Sequence, residues 1–187
     1  MNYTIPRHAF CRNIDPYEKP EPKTTNPQKT KKTEKTQNKS ETIVSDKVNN
    51  SVSSFEDMNL KENLLRAIYA YGWEKPSYVQ QNGIVPVVNG SDAVVQAQSG
   101  TGKTGTFTIA SLQKVDSSIK SCQCIILNPT REIADQTHRV ISNLGTYLTD
   151  VNICGVIGGR RLSNEQVANS HVLVATPGRI YDMINRG

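Results

Sequence analysis

Over residues 54–187 the sequence predicts an α/β fold, a parallel sheet with helices on both faces. Two observations predict it. Short apolar runs rich in β-branched residues alternate with longer segments at helical spacing, and strands separated by helices imply a parallel sheet covered on both sides. Between the first of these strands and the helix after it lies a loop of small residues, the connection expected where a chain turns tightly from sheet to helix.

Residues 1–53 read differently, as a disordered Lys/Thr-rich tail. From Pro16 to Asn50 the chain is dominated by Lys, Thr, Asn, Pro, Gln and Ser. Ordering it would cost more entropy than burial returns. The tail also holds most of the basicity: residues 1–54 carry ten Lys/Arg against six Asp/Glu, and residues 55–187 twelve against eleven. A pI near 9.0 therefore says little about partners of the folded part. Lys29, Lys31, Lys32, Lys35 and Lys39 could serve a nuclear signal or a loose RNA contact, but dispersed charges usually do no more than solvate a linker.

Order begins near Phe55. Met58, Leu60, Leu64, Leu65, Ile68 and Tyr71 recur at helical spacing, predicting a helix over 57–71 closed by Gly72. Val79, Ile84, Val87 and Val88 suggest a second helix after Pro76, ending near Asn89-Gly90. Ala93 to Gln96 reads as a strand, 97–102 as a loop and 103–115 as a helix. Cys124 to Leu127 is the next strand, followed by a helix over 131–148. A strand over 151–157, a short helix over 163–169, a strand over 172–175 and a helix from Pro177 complete the order, Pro suiting a first turn. The cysteines, Cys11, Cys122, Cys124 and Cys154, fit neither a zinc site nor a disulfide framework. They read as reduced thiols of a cytoplasmic protein, with the nucleus as the alternative. No apolar run approaches the length of a membrane span, and no membrane partner is expected.

Ala97-Gln98-Ser99-Gly100-Thr101-Gly102-Lys103-Thr104 carries the chemistry. A phosphate chain needs N–H donors pointing inward, and Gly100 and Gly102 let the backbone approach without a Cβ. The following helix offers a free N-terminus that favours an anion. Lys103 can reach β- and γ-phosphates and the Thr104 hydroxyl can ligate Mg²⁺, which makes these two the candidate catalytic residues and Thr104 the candidate metal ligand. Ala97 stands where the general pattern has Gly. The loop alone does not name the nucleotide, since kinases, GTPases and motor ATPases share it.

The flanking residues narrow the class. Gly72-Trp73-Glu74-Lys75-Pro76-Ser77-Tyr78-Val79-Gln80 resembles the Q motif of the DEAD-box RNA helicases, with Phe55 as its isolated upstream aromatic. The resemblance implies ATP as cofactor, Gln80 reading the adenine edge, Trp73 as stacking platform, and Phe55 and Lys75 in the same nucleotide site. Taken blandly, Gln80 is a helix residue and Trp73 a core aromatic. Pro129-Thr130-Arg131-Glu132-Ile133-Ala134 is similar to the family's motif Ia, with Ile133 where Leu is usual and Asn128 where Ala is usual. Gly158-Gly159 is similar to its GG motif and Thr176-Pro177-Gly178-Arg179 to motif Ib. In the family these hold the RNA sugar-phosphate backbone, so Pro129, Thr130, Arg131, Gly158, Gly159, Thr176, Gly178 and Arg179 are the implied RNA contacts, independent of base sequence. Singly, Gly158-Gly159 is more often a turn, and Arg179 could only cap a helix.

The resemblance covers residues 54–187 and implies a RecA-like ATP-binding domain, incomplete here. The stretches 54–60, 67–72 and 181–186 look most like the family's translation-initiation branch, which implies an initiation scaffold protein as a partner. The family's Asp-Glu-Ala-Asp run does not occur in residues 1–187. The expectation is that this polypeptide binds ATP and RNA but does not hydrolyse appreciably alone, and that it exposes apolar faces and strand edges which favour aggregation. The alternative is a non-catalytic protein that binds nucleotide or a helicase partner as a decoy.

Overall fold

The structure is a computed structural model that describes residues 43–44, 52–159 and 161–186. All of these belong to one unit, Lys39–Gly187. The reading of residues 1–53 as a disordered tail lies, apart from 43–44 and 52–53, outside the described residues. Ile43–Val44 (β1) pair antiparallel with Val94–Val95 (β2), a strand partner the composition of the tail did not suggest.

The helix expected over 57–71 divides in two. A 3-10 turn over Glu56–Met58 ends at Asn59, which takes a left-handed conformation with φ 52°, and α1 begins afresh at Glu62 and runs to Ala70. Asn tolerates this region better than most residues. The apolar spacing persists across the break because Met58 and Leu60 pack into the same core as Leu64 and Ile68. Next comes α2, Tyr78–Val88, opened by a capping box in which Ser77 and Gln80 satisfy each other's backbone amides. The remaining elements follow the expected order: α3 Lys103–Lys114, β3 Cys124–Leu127, α4 Arg131–Leu144, β4 Ile153–Val156, α5 Asn164–Ala168, β5 Val172–Ala175 and α6 Pro177–Arg186.

β3, β5 and β4 form a parallel sheet in that spatial order. β2 hydrogen-bonds only to β1 and does not join it. β5 is central and buried on both faces. Val172 and Val174 face a core built with Leu64, Ile109, Leu112 and Ile141 from the helices, while Leu173 and Ala175 face Leu162, Val167, Ile180 and Met183. That second face is covered over β4 and β5 but not over β3, where Ile125 and Leu127 are 50% and 56% exposed. His171 joins the three strands at their start. Its carbonyl accepts from the Gln123 and Cys124 amides, its own amide donates to Asn152 O, and its Nδ1 accepts from the Asn152 amide at 2.9 Å.

A polar pair fastens the 3-10 turn to α1. The Tyr69 hydroxyl donates to the Glu56 carboxylate. This bond holds the Glu56 carboxyl below its ordinary 4.5, with its own backbone amide second, and it pushes the Tyr69 phenol from 10.0 up to about 12. A lowered carboxylate stabilises the fold above its unfolded value, and a raised phenol does so below its own. The pair therefore contributes fully between about pH 4.5 and 10. Tyr69→Phe is expected to melt slightly below the parent protein at pH 7. That deficit should close below pH 4.5 and again as pH rises from 10 through 12; a deficit constant from pH 4 to 12 in thermal melts would refute the assignment.

Candidate functional site

The loop between β2 and α3 has the shape its glycines imply. Gly100 and Gly102 sit at φ 82° and 101°, conformations that L side chains rarely adopt. Gly102 is the N-cap of α3, so the first free amides of that helix lie beside Lys103, Thr104 and Gly105. The Lys103 amine folds back over the loop and donates to Ala97 O and Gln98 O, both at 2.6 Å, and the Thr101 hydroxyl donates to Gln98 O at 2.8 Å. Every predicted member of the loop, Ala97 to Thr104, is thus contiguous at a helix N-terminus. Ser99 and Gly100 are exposed and Thr104 is half-buried.

Gln80 is built against this loop. It is only 5% exposed, and its Oε1 accepts from the Ser77 amide at 2.8 Å. A Cβ on Gly102 would stand 2.7 Å from Ser77 Oγ and 3.1 Å from Gln80 Nε2; one on Gly105 would stand 2.4 Å from Gln80 Nε2 and 2.8 Å from the Trp73 ring. So the capping box of α2, the Trp73 ring and the first turn of α3 interlock. Ser77 and Gly105 are site residues the sequence reading did not single out. The Ser-x-x-Gln spacing of a capping box was the available signal for the first; nothing local marks the second. Trp73 is half-buried and packs edge-on to Tyr71, ring centroids 4.9 Å apart. Lys75 is exposed. Phe55, also expected in the nucleotide site, is fully buried and packs edge-on to Tyr69.

The second group of predicted residues gathers at one end of the sheet. Leu127, Ala175 and Val156 are in register, so the segments after β3, β5 and β4 leave the sheet side by side. Those segments are Pro129-Thr130-Arg131, Thr176-Pro177-Gly178-Arg179 and Gly158-Gly159. The Arg131 guanidinium lies along Gly158, within 2.9 Å of where a Cβ there would stand. Pro129, Thr130, Gly159 and Gly178 are exposed and Thr176 half-buried. Thr130 caps α4 by accepting from the Ile133 amide; the Glu132 backbone amide first, and the Thr130 side chain second, hold the Glu132 carboxyl below the usual range. Asn128, where Ala was expected, is buried and accepts from the Thr137 hydroxyl at 3.0 Å, so the substitution comes with its own partner. Arg179 is more committed than a free phosphate ligand would be. Its Nη1 pairs with Asp182 at 2.9 Å one turn along α6, and its Nε is buried without a partner.

A glycine loop opening a helix in a parallel α/β sheet, with polar segments and helix N-termini aligned along the sheet end, defines a RecA-like phosphate-loop domain. A sequence model of the DEAD/DEAH box helicase family matches residues 77–187, and the chain belongs to that family. It is 54% identical over 136 residues to eukaryotic initiation factor 4A of Drosophila melanogaster, covering 71% of this chain and 34% of that protein. It is 50% identical over 139 residues to the ATP-dependent RNA helicase eIF4A of Chaetomium globosum, covering 73% and 35%. Among solved structures it resembles a DEAD box protein from the hyperthermophile Methanococcus jannaschii, at TM-score 0.64 and 35% identity over 73% of this chain and 38% of that one. It also resembles S. cerevisiae Dbp5 bound to RNA and ADP BeF3, at TM-score 0.67 and 34% identity over 72% and 34%. The chain spans about a third of the length of the curated relatives it matches.

Proposed function

We propose that this chain binds Mg²⁺·ATP on the 97–104 loop and RNA along the row formed by 129–131, 158–159 and 176–179, as the ATP-binding part of an RNA helicase of translation initiation. The observation that carries the reading is the junction of Gln80 with Gly102 and Gly105. The group suited to read a base is packed against the groups that shape the phosphate loop, so base and phosphates would be held by one rigid unit. Gln80 Oε1 is taken by the capping box, which leaves Nε2 as the donor to the base edge. Lys103 would exchange its two carbonyl partners for phosphate oxygens, and Thr104 would give the metal ion one oxygen. No group of three or more His, Cys, Asp or Glu gathers for a metal among the described residues. In such sites Mg²⁺ usually keeps several waters and is held through substrate phosphates and one or two carboxylates.

The names of the relatives support RNA as second ligand and translation initiation as the setting; the cytoplasm as compartment and an initiation scaffold protein as partner are proposed along with them. Among the described residues no helix is long and apolar enough to cross a membrane. Contacts from Thr130, Arg131, Thr176 and the glycine amides would address phosphate and sugar, giving binding without base preference. For Arg179 the pair with Asp182 makes support of the Thr176–Gly178 turn the better role.

Titration of a fluorescent ATP analogue with the purified chain tests this. Lys103→Ala should weaken Mg²⁺-dependent binding about ten- to hundredfold, the worth of one or two charge-assisted bonds. Gln80→Ala should weaken ATP while leaving GTP little changed. Binding indifferent to both substitutions would sink the proposal. The 187-residue polypeptide is expected to bind without appreciable turnover, and RNA-stimulated hydrolysis that is lost with Lys103→Ala would refute that part.

A further inference from the structure

Residues 59–61 are fastened to the far end of the phosphate-loop helix. The Lys61 amide donates to Gln113 Oε1 at 2.8 Å, and Gln113 Nε2 donates back to Asn59 O at 3.3 Å. The Lys61 amine donates to Leu112 O at 3.1 Å and to Val115 O. These carbonyls belong to the last turn of α3 and the residue after it, where a helix leaves acceptors without intrahelical partners and carries its negative dipole end. Burial pushes the Lys61 amine below the usual lysine value, with the Asp116 charge acting against it. A second lysine repeats the arrangement: the Lys114 amine, in the last turn of α3, donates to Val88 O at the end of α2 at 3.2 Å.

Half-burying an ammonium beside carbonyl acceptors costs hydration that its bonds and their structural effect offset. That effect here is the placement of α3. The helix has 12 residues and so a length of about 18 Å, with Lys61 at one end and the Lys103 and Thr104 amides at the other. A helix packed along its length moves as a rod, so a tilt released at the far end displaces the loop end. We propose that Lys61 is a positioning residue for nucleotide binding: it touches no ligand, and it acts by locking the C-terminal end of α3 so that Gly102–Thr104 stay in register with Gln80. This inference rests on the ATP-binding reading above.

The test compares the full chain with Lys61→Met, Lys61→Arg and Ile141→Val, by Mg²⁺·ATP-analogue titration and thermal melting, all at 10 °C for binding. Lys61→Met should weaken the analogue about five- to tenfold, well inside the about hundredfold loss that a misplacement of about 1 Å can bring. Lys61→Arg, which keeps the charge and several N–H donors, should recover to within about twofold. Ile141→Val lies in α4 and lowers stability by about 0.5–1.5 kcal/mol while leaving every hydrogen bond of Lys61 and Gln113 in place, and should bind like the parent. If Lys61→Met is unfolded at 10 °C, Gln113→Leu replaces it, with the same two outcomes. Parental affinity in the Lys61→Met chain, or equal weakening by Ile141→Val, would overturn the inference. A parent chain that does not bind, or that binds regardless of Lys103→Ala, would instead overturn the ATP-binding reading.

Discussion

Gly105→Val is expected to lower the melting temperature by roughly 6–12 °C and to remove nucleotide binding, a fall of more than about hundredfold. Two effects oppose each other at this position. Replacing a helical glycine relieves backbone entropy worth about 0.5–1 kcal/mol with Ala and less with a β-branched residue. Against that, a Cβ at 105 would stand 2.4 Å from Gln80 Nε2 and 2.8 Å from Trp73, distances real side chains do not tolerate. A flexible side chain could yield cheaply, but Gln80 is pinned at its amide oxygen by the Ser77 amide and Trp73 is a rigid ring. The clash therefore wins, at about 3 kcal/mol for an overpacked site, which for a chain of this size is about 2–4 °C per kcal/mol. Binding falls further than stability because the groups that move are those that meet the ligand. Gly178 supplies the contrast: it lies in α6 with nothing within 4 Å of its would-be Cβ, so Gly178→Ala should melt at or above the parent. Calorimetry and titration of the two variants check this, and an unchanged melt for Gly105→Val would show that α2 and α3 do not interlock.

The elements were legible where sequence signals are local. Cys124–Leu127 and Val172–Ala175 fall where apolar β-branched runs predict strands, and the starts of α3, α4 and α6 fall at Gly102, Thr130 and Pro177, which carry cap or first-turn chemistry. The misplaced boundaries have a common cause. Apolar periodicity continues through Met58, Leu60 and Leu64 because all three serve one core, while the backbone reverses at Asn59, a conformational fact that periodicity does not encode. Likewise 145–148 keeps a helical pattern after α4 has ended at Leu144, since Leu148 packs against the same cluster from a turn. Of the site, the contiguous parts were readable: the phosphate loop, and the three segments that leave the sheet together. What was not readable is distance across the fold. Sequence does not reveal that Phe55 is buried against Tyr69 or that Asp182 stands beside Arg179, and neither Lys61 nor Gly105 differs in sequence from an ordinary surface lysine or helix glycine. Such roles exist only once α1, α2 and α3 are packed.

His171→Ala should lower the melting temperature by roughly 6–12 °C, from a loss of about 3 kcal/mol. The imidazole is fully buried at the start of β5, so its removal leaves a cavity, and it strips the Asn152 amide of its acceptor. The same residue's backbone ties β3 and β4 to β5, and this register brings 129–131, 158–159 and 176–179 to one line. The ring's two nitrogens are not equivalent. Nδ1 accepts from the backbone and therefore carries no proton, which places the ring proton on Nε2, buried and without a partner. Two amide replacements separate these contributions. In His171→Asn the side-chain oxygen stands as many bonds from the backbone as Nδ1 and can accept from the Asn152 amide. In His171→Gln the oxygen stands one bond further out, nearer the Nε2 position, where the fold offers nothing to bind. Asn should therefore recover more of the lost stability than Gln, although Gln fills more of the volume. Thermal melts in which Gln equals or exceeds Asn would mean that volume rather than the Nδ1 bond holds the strands together.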